Sequence, residues 1–158
     1  VLFMLLMPFF FRRLGVKWML GVGMLAWVFR YALFAMGAPE VTTWMILAGI
    51  ALHGICYDFF FVTGQIYVDI KSFEKIRGQA QGLIVLITYG LGMLIGAQVA
   101  GAVFNQFIGE QSALTLDQWH DFWWVPGIFA AGVFLLFIPL FKDREAEKKV
   151  SKEEVQPL

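Results

Sequence analysis

The sequence predicts an all-α membrane protein, and three observations carry that expectation. The chain of 158 residues is 59% hydrophobic and only 15% charged, with a mean hydropathy of +0.72. A soluble domain of this size carries roughly a quarter of its residues as charges. The apolar residues gather into runs that reach the ~20 residues needed to cross a hydrocarbon core of ~30 Å. The basic residues, finally, fall on alternate connections between those runs. Only helices and closed barrels satisfy the backbone in lipid, and runs of this length suit helices.

Five apolar segments follow in order. Residues 1–11 read as the end of a helix that begins mid-run, with no polar lead-in and no basic start of the kind a signal peptide has. We therefore expect the chain to be a fragment of something longer. FRRLGVK, 11–17, reads as a short basic turn, and 18–36 as the second span. GAPEVT, 37–42, is a second turn, with Gly37 and Pro39 as stop signals. Residues 43–68 form the third span, followed by the charged stretch DIKSFEKIRG. The fourth span, 79–107, is rich in small residues, including a Gly92/Gly96 pair at the spacing that lets helix backbones approach. A polar loop, a fifth span over 122–141 and a charged tail over 142–158 complete the chain. Residues 1–141 are thus expected as a transmembrane bundle and the tail as a solvated cytoplasmic extension.

Eleven of the twelve basic residues fall on the 11–17 turn, the 69–78 loop and the tail, whereas the other two loops carry only acids. By the positive-inside rule the basic connections and the tail are cytoplasmic. Trp119, Trp123 and Trp124 stand where the fifth span begins on the opposite side, where amphipathic indoles favour the interface. Zero net charge argues against a nucleic-acid partner. The single cysteine, Cys56, lies in a span and reads as a packing residue. There is no metal-ligand cluster, nucleophile–base pair or phosphate loop in the sequence, so neither an enzyme nor a cofactor is expected.

Three ionisable residues stand inside spans: Arg30, His53 and Asp58. A charge near the helix centre costs at least ~2.5 kcal/mol on insertion scales, so each is a functional candidate. Asp58 lies about sixteen residues past the outer end of its helix, roughly 24 Å along it. An intramembrane carboxylate that takes up and releases a proton suits a proton-coupled carrier; helix packing is the plainer alternative. His53 and Tyr57 are spaced i, i+4 and share a helix face. Their rings can hold a flat solute, since base–aromatic stacking is worth about 1–3 kcal/mol in nucleic-acid systems. His53 is also a candidate for proton coupling. Gln65 continues the Tyr57–Phe61 line and is a candidate hydrogen-bonding residue. Arg30 lies about seven residues, or roughly 10 Å, from the outer end of its helix, as a gate contact or an interface anchor. Its depth makes a direct Arg30–Asp58 salt bridge unfavourable.

Several stretches carry a family likeness. FRRLGVKWML resembles the basic R-R-x-G-x-K turn of the major facilitator superfamily. YDFFFVTGQIYVD resembles the aromatic-D-F-F segment in the tenth helix of bacterial nucleoside:proton symporters. IRGQAQGL, with Arg77, Ala80, Gln81 and Gly82, is similar to the start of their eleventh helix, and AWVFRYALF to part of their ninth. The resemblance implies the C-terminal half-bundle of a major facilitator carrier, from the end of helix eight through helix twelve. It implies proton-coupled nucleoside uptake across the bacterial inner membrane, with Asp58 at the substrate site and the N-terminal half of the same protein as partner. The family usually has tyrosine, phenylalanine and asparagine where this chain has His53, Tyr57 and Phe61. Those departures leave open another hydroxylated or aromatic solute, such as a sugar or nucleobase. A non-transporting structural bundle is the reading from a different class.

Overall fold

The structure, a computed structural model, describes residues 2–37, 42–108 and 114–141, apart from the side chains of 2–8, 12 and 108. The charged tail, most of the 37–42 turn and the middle of the polar loop lie outside the described residues.

The described chain is helical. Helix α1 runs Leu2–Met36 and breaks at Gly15, whose φ of 69° and ψ of 171° no helical residue adopts. Glycine reaches that region because it has no Cβ. The basic turn expected over 11–17 is thus a single-residue kink, with helix on both sides. A second rod consists of α2, Thr43–Cys56, a wide π turn over Tyr57–Val62, and α3, Thr63–Lys71. A short 3₁₀ turn, Glu74–Ile76, leads into a third rod. This is α4, Arg77–Val85, a second π turn over Leu86–Gly92, and α5, Met93–Ile108. The last helix, α6, spans Leu116–Leu140.

The sixth helix starts earlier than the expected 122 because Thr115 caps it. Its hydroxyl accepts from the Gln118 amide, and the Gln118 side chain accepts from the Thr115 amide. This capping box satisfies two donors that a helix start otherwise leaves open. Among the described residues four segments are long and apolar enough to cross a membrane: Arg13–Met36, Thr43–Lys71, Glu74–Phe107 and Leu116–Leu140.

Helix α1 is the centre of the packing, touching α2, the first π turn, α3 and α6. Met19 and Phe59 form one buried cluster with Phe10 and Ile66 around them. Val16 and Leu20 form another, beside Phe60, Tyr67, Phe137 and Phe141. That second cluster gathers the end of α3, the end of α6 and the start of the second part of α1. The connections bearing Arg13, Lys17, Lys71, Lys75 and Arg77 therefore share one end of the bundle. At the other end the Trp119 indole donates to the Phe34 carbonyl at 2.8 Å. Trp119 is accordingly a lock between α6 and α1. Trp123 packs beside it, against the rings of Phe34 and Tyr31.

The third rod behaves differently. Among the described residues its backbone comes close to the second rod where α3 packs on α4, and to α6 through α5. Most of its length is exposed. Gly96 and Gly101 have nothing within 4 Å of where a Cβ would stand. The small-residue face expected to pack closely has no partner among the described residues. Close approach is made instead by Gly23 of α1.

Candidate functional site

The π turn over Tyr57–Val62 carries the candidate chemistry. A π turn inserts one residue into an α-helix and is a frequent feature of functional sites. Its two sides differ sharply. Asp58 and Phe59 are buried against neighbouring helices, with Asp58 only 7% exposed, whereas Tyr57 is 42% exposed. One residue along a helix turns the side chain by roughly 100°, which separates the two environments. The Asp58 carbonyl accepts from the Thr63 hydroxyl at 3.5 Å, and Thr63 is itself fully buried.

His53 and Tyr57 lie together on the open face of the second rod, as their spacing implies. The face continues as a series of rings. Tyr57 stands 5.7 Å from Phe61, centroid to centroid, and Phe61 stands 5.2 Å from Tyr89 on the third rod. These tilted contacts lie in the range where aromatic pairs attract. The two rods converge at α3 and α4 and do not approach closely at their π turns. The Phe61–Tyr89 contact therefore bridges the mouth of a wedge. The Tyr89 hydroxyl is buried, with no partner at hydrogen-bond geometry among the described residues.

Tyr89 is the residue that sequence reasoning missed. It is one tyrosine in a span read for its small residues, and nothing in its local spacing points to the second rod. Phe61, noted only as a family departure, is the ring that connects Tyr57 to it.

Gln65 lies past the π turn and shares a cleft with Phe61. The cleft, of about 240 Å³, is also lined by Phe60, Met24, Ile84 and Thr88. Its main-chain carbonyl accepts from the Gln81 side chain at 2.8 Å, tying α3 to α4. The cleft is smaller than the ~300–1,000 Å³ of usual ligand pockets. Its lining is mostly apolar, which suits a groove between rods.

Arg30 is placed differently again. Its Nη1 lies 3.1 Å from Nδ1 of His53, so an arginine of α1 and a histidine of α2 meet across the helix interface. The guanidinium also sits over the rings of Trp27 and Phe34, at 5.3 and 5.2 Å. Arg30 is therefore held within the bundle, one and a half turns outward of Asp58 along the second rod. His53 is the residue that the depth estimate left out of consideration. Among the described residues no group of three or more histidine, cysteine or acidic side chains could hold a metal ion.

The profile of the Nucleoside H+ symporter family matches residues 1–146. The candidate nucleoside transporter YegT of Escherichia coli (strain K12) is 37% identical over 152 residues, covering 93% of this chain and 36% of YegT. Nucleoside permease NupG of the same organism is 31% identical, over 89% of this chain and 33% of NupG. Xanthosine permease, again of that strain, is 29% identical, over 97% of this chain and 36% of its own length. The crystal structure of nucleoside transporter NupG superposes with a TM-score of 0.79 at 30% identity, covering 90% of this chain and 35% of that one. The chain thus spans about a third of the length of the relatives it matches. Its fold is that of part of a major facilitator transporter. The match over residues 1–146 identifies the chain as a member of the nucleoside H+ symporter family.

Proposed function

We propose that this chain forms part of a secondary carrier that takes up nucleosides with protons across the bacterial inner membrane. The observation that carries this is the open aromatic face His53–Tyr57–Phe61–Tyr89, built across two rods of a chain in a symporter family. Rings on such a face stack on purine or pyrimidine planes, and the histidine and tyrosine polar atoms meet ribose or base edges.

Asp58 takes the proton-coupling role. It lies behind the face, in the interface between the second rod and its neighbours, where its protonation state bears on how those helices pack. A proton arriving there and a nucleoside arriving at Tyr57 then act on adjacent residues of one π turn. The partners of the chain are the bilayer, protons, the nucleoside and the remainder of the same polypeptide; nucleic acid and cofactors have no part, and no residue breaks or makes a covalent bond. The basic connections and the charged tail face the cytoplasm in this reading, because those stretches carry eleven of the twelve basic residues.

The test is uptake of radiolabelled uridine and adenosine by cells that express the full-length parent protein, with and without a protonophore, beside Asp58→Asn. Uptake should collapse with the protonophore and with the substitution. Concentrative uptake by Asp58→Asn would return Asp58 to a packing role, and an intact protein that carries no nucleoside would remove the substrate.

A further inference from the structure

We propose that Arg30 is a positioning residue for the substrate face, acting through His53. The inference rests on the nucleoside reading above for its ligand and on the Arg30–His53 geometry for its mechanism.

An arginine guanidinium has five N–H donors and no acceptor. At 3.1 Å from Arg30 Nη1, the Nδ1 atom of His53 can only accept. The ring hydrogen then lies on Nε2, on the far side of the imidazole from Arg30. His53 stands on the open face beside Tyr57, so that hydrogen is presented where solute binds. Without a fixed partner, a neutral imidazole exchanges between two tautomers, one of them offering a lone pair at Nε2 instead of a donor. Arg30 removes that choice. The face then offers an N–H donor, which matches a base carbonyl or a ribose hydroxyl oxygen.

The arginine is well placed for this. Trp27 and Phe34, one turn to either side of it on α1, present their rings to the guanidinium and restrict its motion. Its Nε is buried without a hydrogen-bond partner among the described residues, so the contact with His53 is the polar contact that orients the head group. An arginine fork loses less freedom per hydrogen bond than an ammonium on a flexible stem. Tyr57 shares the open face with His53, and Asp58 is on the buried side of the π turn. Neither occupies Nδ1.

Two measurements on the full-length transporter test this. The first is the ¹⁵N spectrum of the protein labelled at histidine and reconstituted in lipid nanodiscs, with His53→Ala to assign the signal. Nδ1 should appear as an unprotonated acceptor and Nε2 as the protonated nitrogen, and Arg30→Met should convert the signal to a tautomer mixture. A protonated Nδ1 in the unsubstituted protein overturns the assignment.

The second is the concentration dependence of uridine uptake, corrected for the amount of protein in the membrane. Arg30→Met should raise KM about fivefold, the loss of roughly one hydrogen bond, with the maximal rate kept. Arg30→Lys, which retains a donor, should recover part of the affinity. In a His53→Ala background Arg30→Met should change KM no further. Additive effects in the double variant, or a loss of maximal rate at unchanged KM, overturn the positioning role. A protein that carries no uridine, yet has the Nε2–H tautomer, overturns the nucleoside reading and supports the Arg30–His53 assignment.

Discussion

Gly23 of α1 lies directly against the backbone of Phe60: a Cβ on Gly23 would stand 2.9 Å from the Phe60 amide nitrogen and 3.0 Å from the Phe59 carbonyl carbon. Real Cβ atoms do not approach backbone so closely, and backbone cannot swing aside as a side chain does. Gly23→Ala should therefore push α1 off the first π turn. Overpacking of this kind costs about 1–3 kcal/mol. The full-length protein in detergent should show a lowered thermal midpoint and reduced uptake. Gly82→Ala is the control, since nothing lies within 4 Å of a Cβ there. Equal midpoints for the two variants would mean that α1 does not hold the π turn.

Gly15 supplies the break between the two parts of α1, with φ at 69° and ψ at 171°. That region is essentially closed to residues with a Cβ, and occupying it costs about 1–3 kcal/mol. Gly15→Ala should lower the thermal midpoint, whereas the neighbouring Leu14→Ala removes only packing at a half-buried position. An unchanged midpoint in Gly15→Ala would show that the kink relaxes without strain.

Trp119 donates to the Phe34 carbonyl, one of the last-turn acceptors that α1 leaves without a helical partner. Trp119→Phe keeps a large ring and removes the donor. The expected loss is about 0.5–1.5 kcal/mol of stability, with little effect on KM because the Phe34 ring over Arg30 is kept. A rise in KM at unchanged stability would connect this end of the bundle to the site.

Tyr57 should act through its ring. Tyr57→Ala removes a stacking surface worth about 1–3 kcal/mol, so KM for uridine should rise by roughly one to two orders of magnitude. Tyr57→Phe keeps the ring and the contact with Phe61, and should stay within about threefold of the unsubstituted protein. Equal rises in the two variants would assign the binding to the phenol hydroxyl instead.

The site was legible in unequal parts. His53 and Tyr57 could be grouped from spacing alone because a regular helix repeats its face every three to four residues. Gln65 shares a cleft with Phe61, but its lining from α1 and α4, Met24, Ile84 and Thr88, could not be read from spacing. Tyr89 could not be grouped at all, because its contact with Phe61 joins residues on two rods. Arg30 was recognisable as an intramembrane charge, but its partner was not, for the depth of Asp58 drew the comparison away from His53.

What the sequence by itself determined is the apolar, helical character of the runs and the alternation of basic and acidic connections between them. Those follow from hydropathy and charge, which are summed along the chain and need no partner. The tertiary structure decided which side chains meet: Gly23 with the Phe59–Phe60 backbone, Arg30 with His53, Phe61 with Tyr89, and Asp58 buried while Tyr57 stays open. Such pairings depend on the rotation and crossing of whole helices. A single turn with one added residue, as at Tyr57–Val62, resets them for every position beyond it.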